Sequence, residues 1–85
     1  MGISPSEIKD IIIEEVRGLL ADPMRQIAGS EDLTRDLRIA SDDLSFLFVP
    51  MVRQRFGVTP TNSEWAQVNS IDDTVALVMK YLQRR

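Results

Sequence analysis

Residues 36–58 read DLRIASDDLSFLFVPMVRQRFGV, and the fold turns on how that stretch is read. It opens polar, with Asp36-Leu37 and then Ala40-Ser41-Asp42-Asp43, and it closes at Gly57, a residue suited to ending a helix. Between them Leu44, Leu47, Phe48, Met51, Val52 and Phe56 recur three and four apart, which predicts a helix over Ser41–Phe56 with one apolar face. Phe46 and Val49 fall beside or opposite that face and leave extra apolar surface. Pro50 sits in mid-helix, where it removes a backbone hydrogen bond at a cost of about 3 kcal/mol unless the helix bends. A kink or bulge is therefore expected at Phe46–Pro50, with a break into two short helices as the other outcome. Ser41, at the N-terminal lip, is either a helix cap or an exposed attachment point.

On the N-terminal side, Ser4-Pro5-Ser6-Glu7 combines an N-cap serine, a first-position proline and a capping-box glutamate. Ile8, Ile11, Ile12, Val16, Leu19 and Leu20 continue from it as a helical stripe, with Gly18 and Asp22-Pro23 as its expected end. From Ala21 to Ala40 the chain is a long connection. A short helical turn is expected from Asp22 toward Ile27 or Ala28, closed by Gly29, and Leu33 and Leu37 are its expected anchors. A connection of this length in so small a domain points to a functional loop or a packed element.

On the C-terminal side, Thr61-Asn62-Ser63-Glu64 repeats the capping logic before a turn or two of helix through Trp65, which is expected to be a packing anchor. Ser70-Ile71-Asp72-Asp73 opens a last helix whose stripe is Ile71, Val75, Val78, Met79 and Leu82. The methionines are expected as core filler, with Met51 and Met79 as candidates to line a plastic cavity. No alternating pattern suggests a strand. The chain reads all-α.

Composition narrows the chemistry. With 85 residues, 44% hydrophobic and 27% charged, residues 1–85 form one small domain with a single core. The chain has no cysteine and no histidine, so disulfides, thiolate chemistry and the commonest general base are excluded. An enzyme is not expected. The net charge of −3 and scattered Lys and Arg disfavour nucleic acid as a partner. Apolar runs fall well short of the roughly 20 residues that cross a bilayer, and the N-terminus lacks a signal pattern, so a cytoplasmic monomer is expected.

Residues 36–41, the Phe56-Gly57-Val58 ending and the closing segment from Val68-Asn69-Ser70-Ile71-Asp72-Asp73-Thr74-Val75 through Tyr81-Leu82 together resemble the acyl carrier protein family. Its motif is D-L-G-x-D-S-L, followed by an apolar helix ending F-G-[IV]. The resemblance covers most of the chain and implies a small antiparallel four-helix bundle with a long loop between helices 1 and 2. It implies that Ser41 carries 4′-phosphopantetheine, attached from coenzyme A by a phosphopantetheinyl transferase, with an acyl group held on the arm as a thioester. The implied partners are acyl-loading and acyl-processing enzymes of fatty acid, polyketide or lipopolysaccharide lipid synthesis. Asp36, Asp42, Asp43, Phe46 and Arg53 are the residues expected to meet them.

The chain departs from the motif in four ways. Arg38 stands for its glycine, Ala40 for its aspartate and Asp42 for its leucine, and Ser41 to Phe56 is one residue longer than the usual register. Counting back from Phe56 without a gap puts Asp42 at the attachment position, which leaves an interaction module with no arm. Aligning Asp43-Leu44 with S-L is a third register, also without a serine. An extra residue absorbed as a bulge near Pro50 aligns both ends of the motif and keeps Ser41.

Overall fold

A helix must satisfy its first backbone N–H groups, and three helices of this chain do so with a hydroxyl just before the first turn. The computed structural model describes residues 2–84; Met1 and Arg85 lie outside them. Helix α1 (Pro5–Leu19) starts at a full capping box. Ser4 Oγ accepts the Glu7 N–H at 3.2 Å, and the Glu7 carboxylate accepts the Ser4 N–H at 3.3 Å. Ile8, Ile12 and Val16 on its inner face are wholly buried.

The end of α1 differs from expectation. Gly18 lies inside the last turn, and the stop comes at Ala21, which takes a left-handed conformation with φ 53°. The Ala21 N–H then reaches the Gly18 carbonyl at 3.2 Å and the Asp22 N–H reaches that of Arg17 at 3.1 Å. That is the Schellman arrangement, with alanine where glycine is usual.

The connection 21–40 forms no helix among its residues. The turn expected after Asp22 is a single bond from the Arg25 N–H to the Asp22 carbonyl at 3.2 Å. Leu33 and Leu37 are buried as expected, and Ile39 joins them. The loop is latched to the chain before the last helix: the Leu33 N–H donates to the Asn69 carbonyl at 2.8 Å, and the Asp72 N–H to that of Gly29 at 3.0 Å. Gly29 lies so close to the Asp72 carboxylate and the Lys9 side chain that a Cβ there would collide with both. Glycine permits the approach.

The second helix runs in three pieces with helical backbone angles through each junction: α2 (Ser41–Asp43), a π-helical turn (Leu44–Phe48) and α3 (Val49–Phe56). The Val49 N–H reaches back five residues to the Leu44 carbonyl. The next residue, Pro50, has no N–H to offer, so the widened turn ends where the ordinary ladder would fail. The expected bulge is present, starting two residues earlier than Phe46. It also moves Leu47, expected on the core face, to half exposure, beside Phe46 at 74%. Phe48, Val52 and Phe56 remain buried, and Gly57 closes the helix at φ 65°.

Helix α4 (Asn62–Trp65) is a single turn capped by Thr61, and α5 (Ile71–Gln83) is capped by Ser70. Ile71, Val75 and Val78 of the expected stripe are buried, and so are Thr74 and Leu77, which lie outside it; the Thr74 hydroxyl donates to the Ser70 carbonyl at 3.0 Å. Helix α5 packs against α1. Met51 and Met79 rest against the core, but Met24, expected as filler, is 85% exposed on the loop. The described residues contain no strand beyond one isolated bridge between Asp32 and Ser70, and no helix long and apolar enough to cross a membrane. The Cα radius of gyration is 12.1 Å.

Candidate functional site

The second helix is built differently at its N-terminus. Its N-cap position is held by Ala40, whose side chain can accept nothing, and Ser41 is the first helical residue. Ser41 is exposed, and among the described residues its hydroxyl makes no hydrogen bond. It is therefore not the cap. Asp42 and Asp43 follow, also exposed and with carboxylates in no ion pair or hydrogen bond among the described residues. Their charge suits the positive end of the helix dipole.

The loop sets where that helix begins. Asp32 Oδ1 accepts the N–H groups of Thr34 and Arg35 at 2.9 and 2.8 Å and the Thr34 hydroxyl at 2.9 Å. Those bonds, led by the Arg35 N–H, hold the Asp32 carboxyl below its usual range. Asp36 Oδ2 accepts the Asp32 N–H at 2.8 Å, so one of its oxygens is committed to the loop. Arg38 then takes a left-handed conformation at φ 59°, the turn that redirects the chain into Ile39 and the helix. A left-handed arginine is uncommon, and glycine adopts that conformation without strain.

Beside Ser41 opens a cleft of about 480 Å³. Leu33, Leu44, Phe48, Val49 and Val68 supply its apolar wall, and Ser41, Ser45, Arg53 and Asn62 its polar members. Trp65 closes the far side and meets Phe48 edge to face, with ring centres 6.2 Å apart and planes at 78°. Its indole N–H is buried without a partner among the described residues. Trp65 is the packing anchor expected of it, and the cleft wall as well.

Glu64 fixes that wall. Its carboxylate closes the Thr61 capping box, takes the Tyr81 hydroxyl, and pairs with Lys80 Nζ at 3.1 Å, so one side chain ties α4 to α5. The Tyr81 hydrogen bond, then the Thr61 N–H and Lys80, hold the Glu64 carboxyl down to about 2. The same bond pushes the Tyr81 hydroxyl above its usual range.

Phe46 belongs to a second groove with Leu47, Pro50 and Met51, rimmed by Arg55, whose guanidinium lies 3.7 Å from Glu15. The residues expected to meet partners are thus divided. Asp42 and Asp43 stand at the helix mouth, Phe46 on this groove, Arg53 on the cleft, and Asp36 in the loop. Met51 lines the second groove, and neither Met51 nor Met79 lines the cleft. Trp65, Asn62 and Val68 as cleft residues carried no local signal beyond the single tryptophan, because the approach of α4 to the second helix is tertiary.

Chemically, the site offers a hydroxyl without a base. An attacking serine needs a neighbour to take its proton, and none bonds Ser41 among the described residues. No group of three His, Cys, Asp or Glu among the described residues is arranged to hold a metal ion. The chain matches no family model, no curated protein and no solved structure.

Proposed function

We propose that this chain is a carrier of the acyl-carrier type, a small antiparallel four-helix bundle that holds an acyl thioester on a 4′-phosphopantetheine arm at Ser41. The observation that carries the reading is the spare hydroxyl of Ser41, first on its helix, exposed, and on the edge of a mostly apolar cleft. Two departures from the family pattern also lose their force. The π-helical turn absorbs one residue between Ser41 and Phe56, which favours the Ser41 register over the one that puts Asp42 there. Arg38 keeps the left-handed backbone suited to the motif's glycine.

The residues fit the arm. The uncapped first turn offers backbone N–H groups to a phosphodiester, and the dipole favours its charge. Asp42 and Asp43 oppose it, and that repulsion is the observation favouring the second reading, an armless interaction module. In the carrier reading the transferase supplies the base that Ser41 lacks. Asp42, Asp43 and Phe46 then serve as contact points for loading and processing enzymes in the cytoplasm. The protein acts by tethering, raising the concentration of cargo at each partner's active site. Incubation with coenzyme A and a broad-specificity transferase, read by intact mass, tests this. Gain of one phosphopantetheine is expected. An unchanged mass, under conditions that modify a control carrier, leaves the armless module.

A further inference from the structure

We propose, building on the carrier reading of Ser41, that the cleft selects a cargo chain bearing keto or hydroxyl oxygen over a plain alkyl chain, with the Trp65 indole N–H as the donor that reads it. Buried polar groups in native proteins are nearly always paired. The Trp65 N–H is buried and unpaired among the described residues, in a residue that walls the cleft Ser41 borders. An indole N–H can only donate, so what it lacks is an acceptor.

Of the other polar groups of the cleft, Ser41, Ser45 and Asn62 can donate or accept, and Arg53 can only donate. Arg53 lines it, and its guanidinium forms no ion pair among the described residues. Guanidinium groups donate and never accept. Asn62 adds an amide able to donate. The remaining walls, Leu44, Phe48 and Val49, suit the methylene part of a chain. Arg53 and Asn62 are exposed and keep water beside any cargo, whereas an alkyl chain leaves the buried indole N–H unpaired and a chain bearing oxygen can answer it. Arg53 lies twelve positions beyond Ser41, so cargo must run roughly 18 Å along the helix to meet that guanidinium. The indole must turn toward the cleft as cargo enters. Trp65 is the last residue of a one-turn helix, and the turn alters its edge-to-face contact with Phe48.

The test uses the whole chain, loaded at Ser41 with octanoyl or 3-oxo-octanoyl cargo, with loading confirmed by mass. Trp65 is the sole tryptophan, so one indole N–H resonance reports on it. The 3-oxo form should move that resonance downfield and slow its solvent exchange roughly fivefold to tenfold, as one net hydrogen bond does. The octanoyl form should do neither. Trp65→Phe keeps an aromatic wall without the donor, and should erase a higher Tm of the 3-oxo form over the octanoyl form. Equal indole responses to the two cargoes, or a Tm difference that survives Trp65→Phe, overturns the selection while leaving the carrier reading intact. An unmodified mass overturns both.

Discussion

Ser4, Thr61 and Ser70 each place a hydroxyl before a helix and take the N–H three residues on, at 3.2, 3.2 and 3.1 Å; at residue 41 the serine is one step late and caps nothing. The first three hydroxyls are consumed by structure. The fourth is left over, at the only described helix start whose N-cap is an alanine. A protein that needed only a helix there would gain by moving the serine back one position. Its present place leaves the first turn without a side-chain cap and leaves an unbonded hydroxyl in solvent.

That contrast can be broken by mutation. The largest effect is expected at Ser70, where Ser70→Ala removes a nearly buried cap and should cost about 1–2 kcal/mol in urea unfolding. A loss no greater than that of Ser41→Ala would erase the distinction. Capped starts should also feel acid. Glu64 is held down to about 2 in the fold, against an ordinary carboxyl value of about 4.3 when unfolded. The unfolded chain therefore binds the extra proton first, and the stability Glu64 contributes is complete above about pH 4.5 and fades as pH falls toward 2. Thermal melts of Glu64→Gln should lack that part of the acid limb, and an unchanged limb would remove Glu64 from the role.

Adding the missing cap should have a somewhat smaller effect in the other direction. Ala40 already has the extended backbone of an N-cap, at φ −63° and ψ 148°, so Ala40→Asp should gain about 1 kcal/mol. No gain in denaturant midpoint would mean the first-turn N–H groups are already satisfied. Relief of the left-handed backbone at Arg38 is smaller still. The strain is worth roughly 1–2 kcal/mol, and the extra freedom of an unfolded glycine cancels about 0.5–1 of it. Arg38→Gly should therefore stabilise by a few tenths to about 1 kcal/mol in the same assay, and a loss would show that the arginine side chain holds the loop.

Much of this was legible in the sequence because it is local. Capping residues and a glycine at φ 65° act within one turn, so the starts of α1, α4 and α5 and the stop at Gly57 appear where their residues stand, while the bulge, expected at Phe46–Pro50, lies two residues earlier at Leu44–Phe48. What was misread depends on neighbours. Leu47 leaves the core because the π-helical turn advances the face by an extra residue. Gly18 yields its role to Ala21, since the last turn of α1 is packed and continues. The cleft joins Leu33 of the loop, the second helix and Trp65 of α4, three segments whose approach no spacing rule encodes. Ser41 itself was legible as a choice between cap and attachment point, and the position of Ala40 removes the first.

The most direct measurement is peptide mapping of the protein after incubation with coenzyme A and transferase, alongside Ser41→Ala. Wild type should carry one phosphopantetheine on Ser41, and Ser41→Ala should carry none while keeping its stability within about 0.5 kcal/mol. No modification, or modification at Ser45, which lines the same cleft four residues further along the helix, would contradict it.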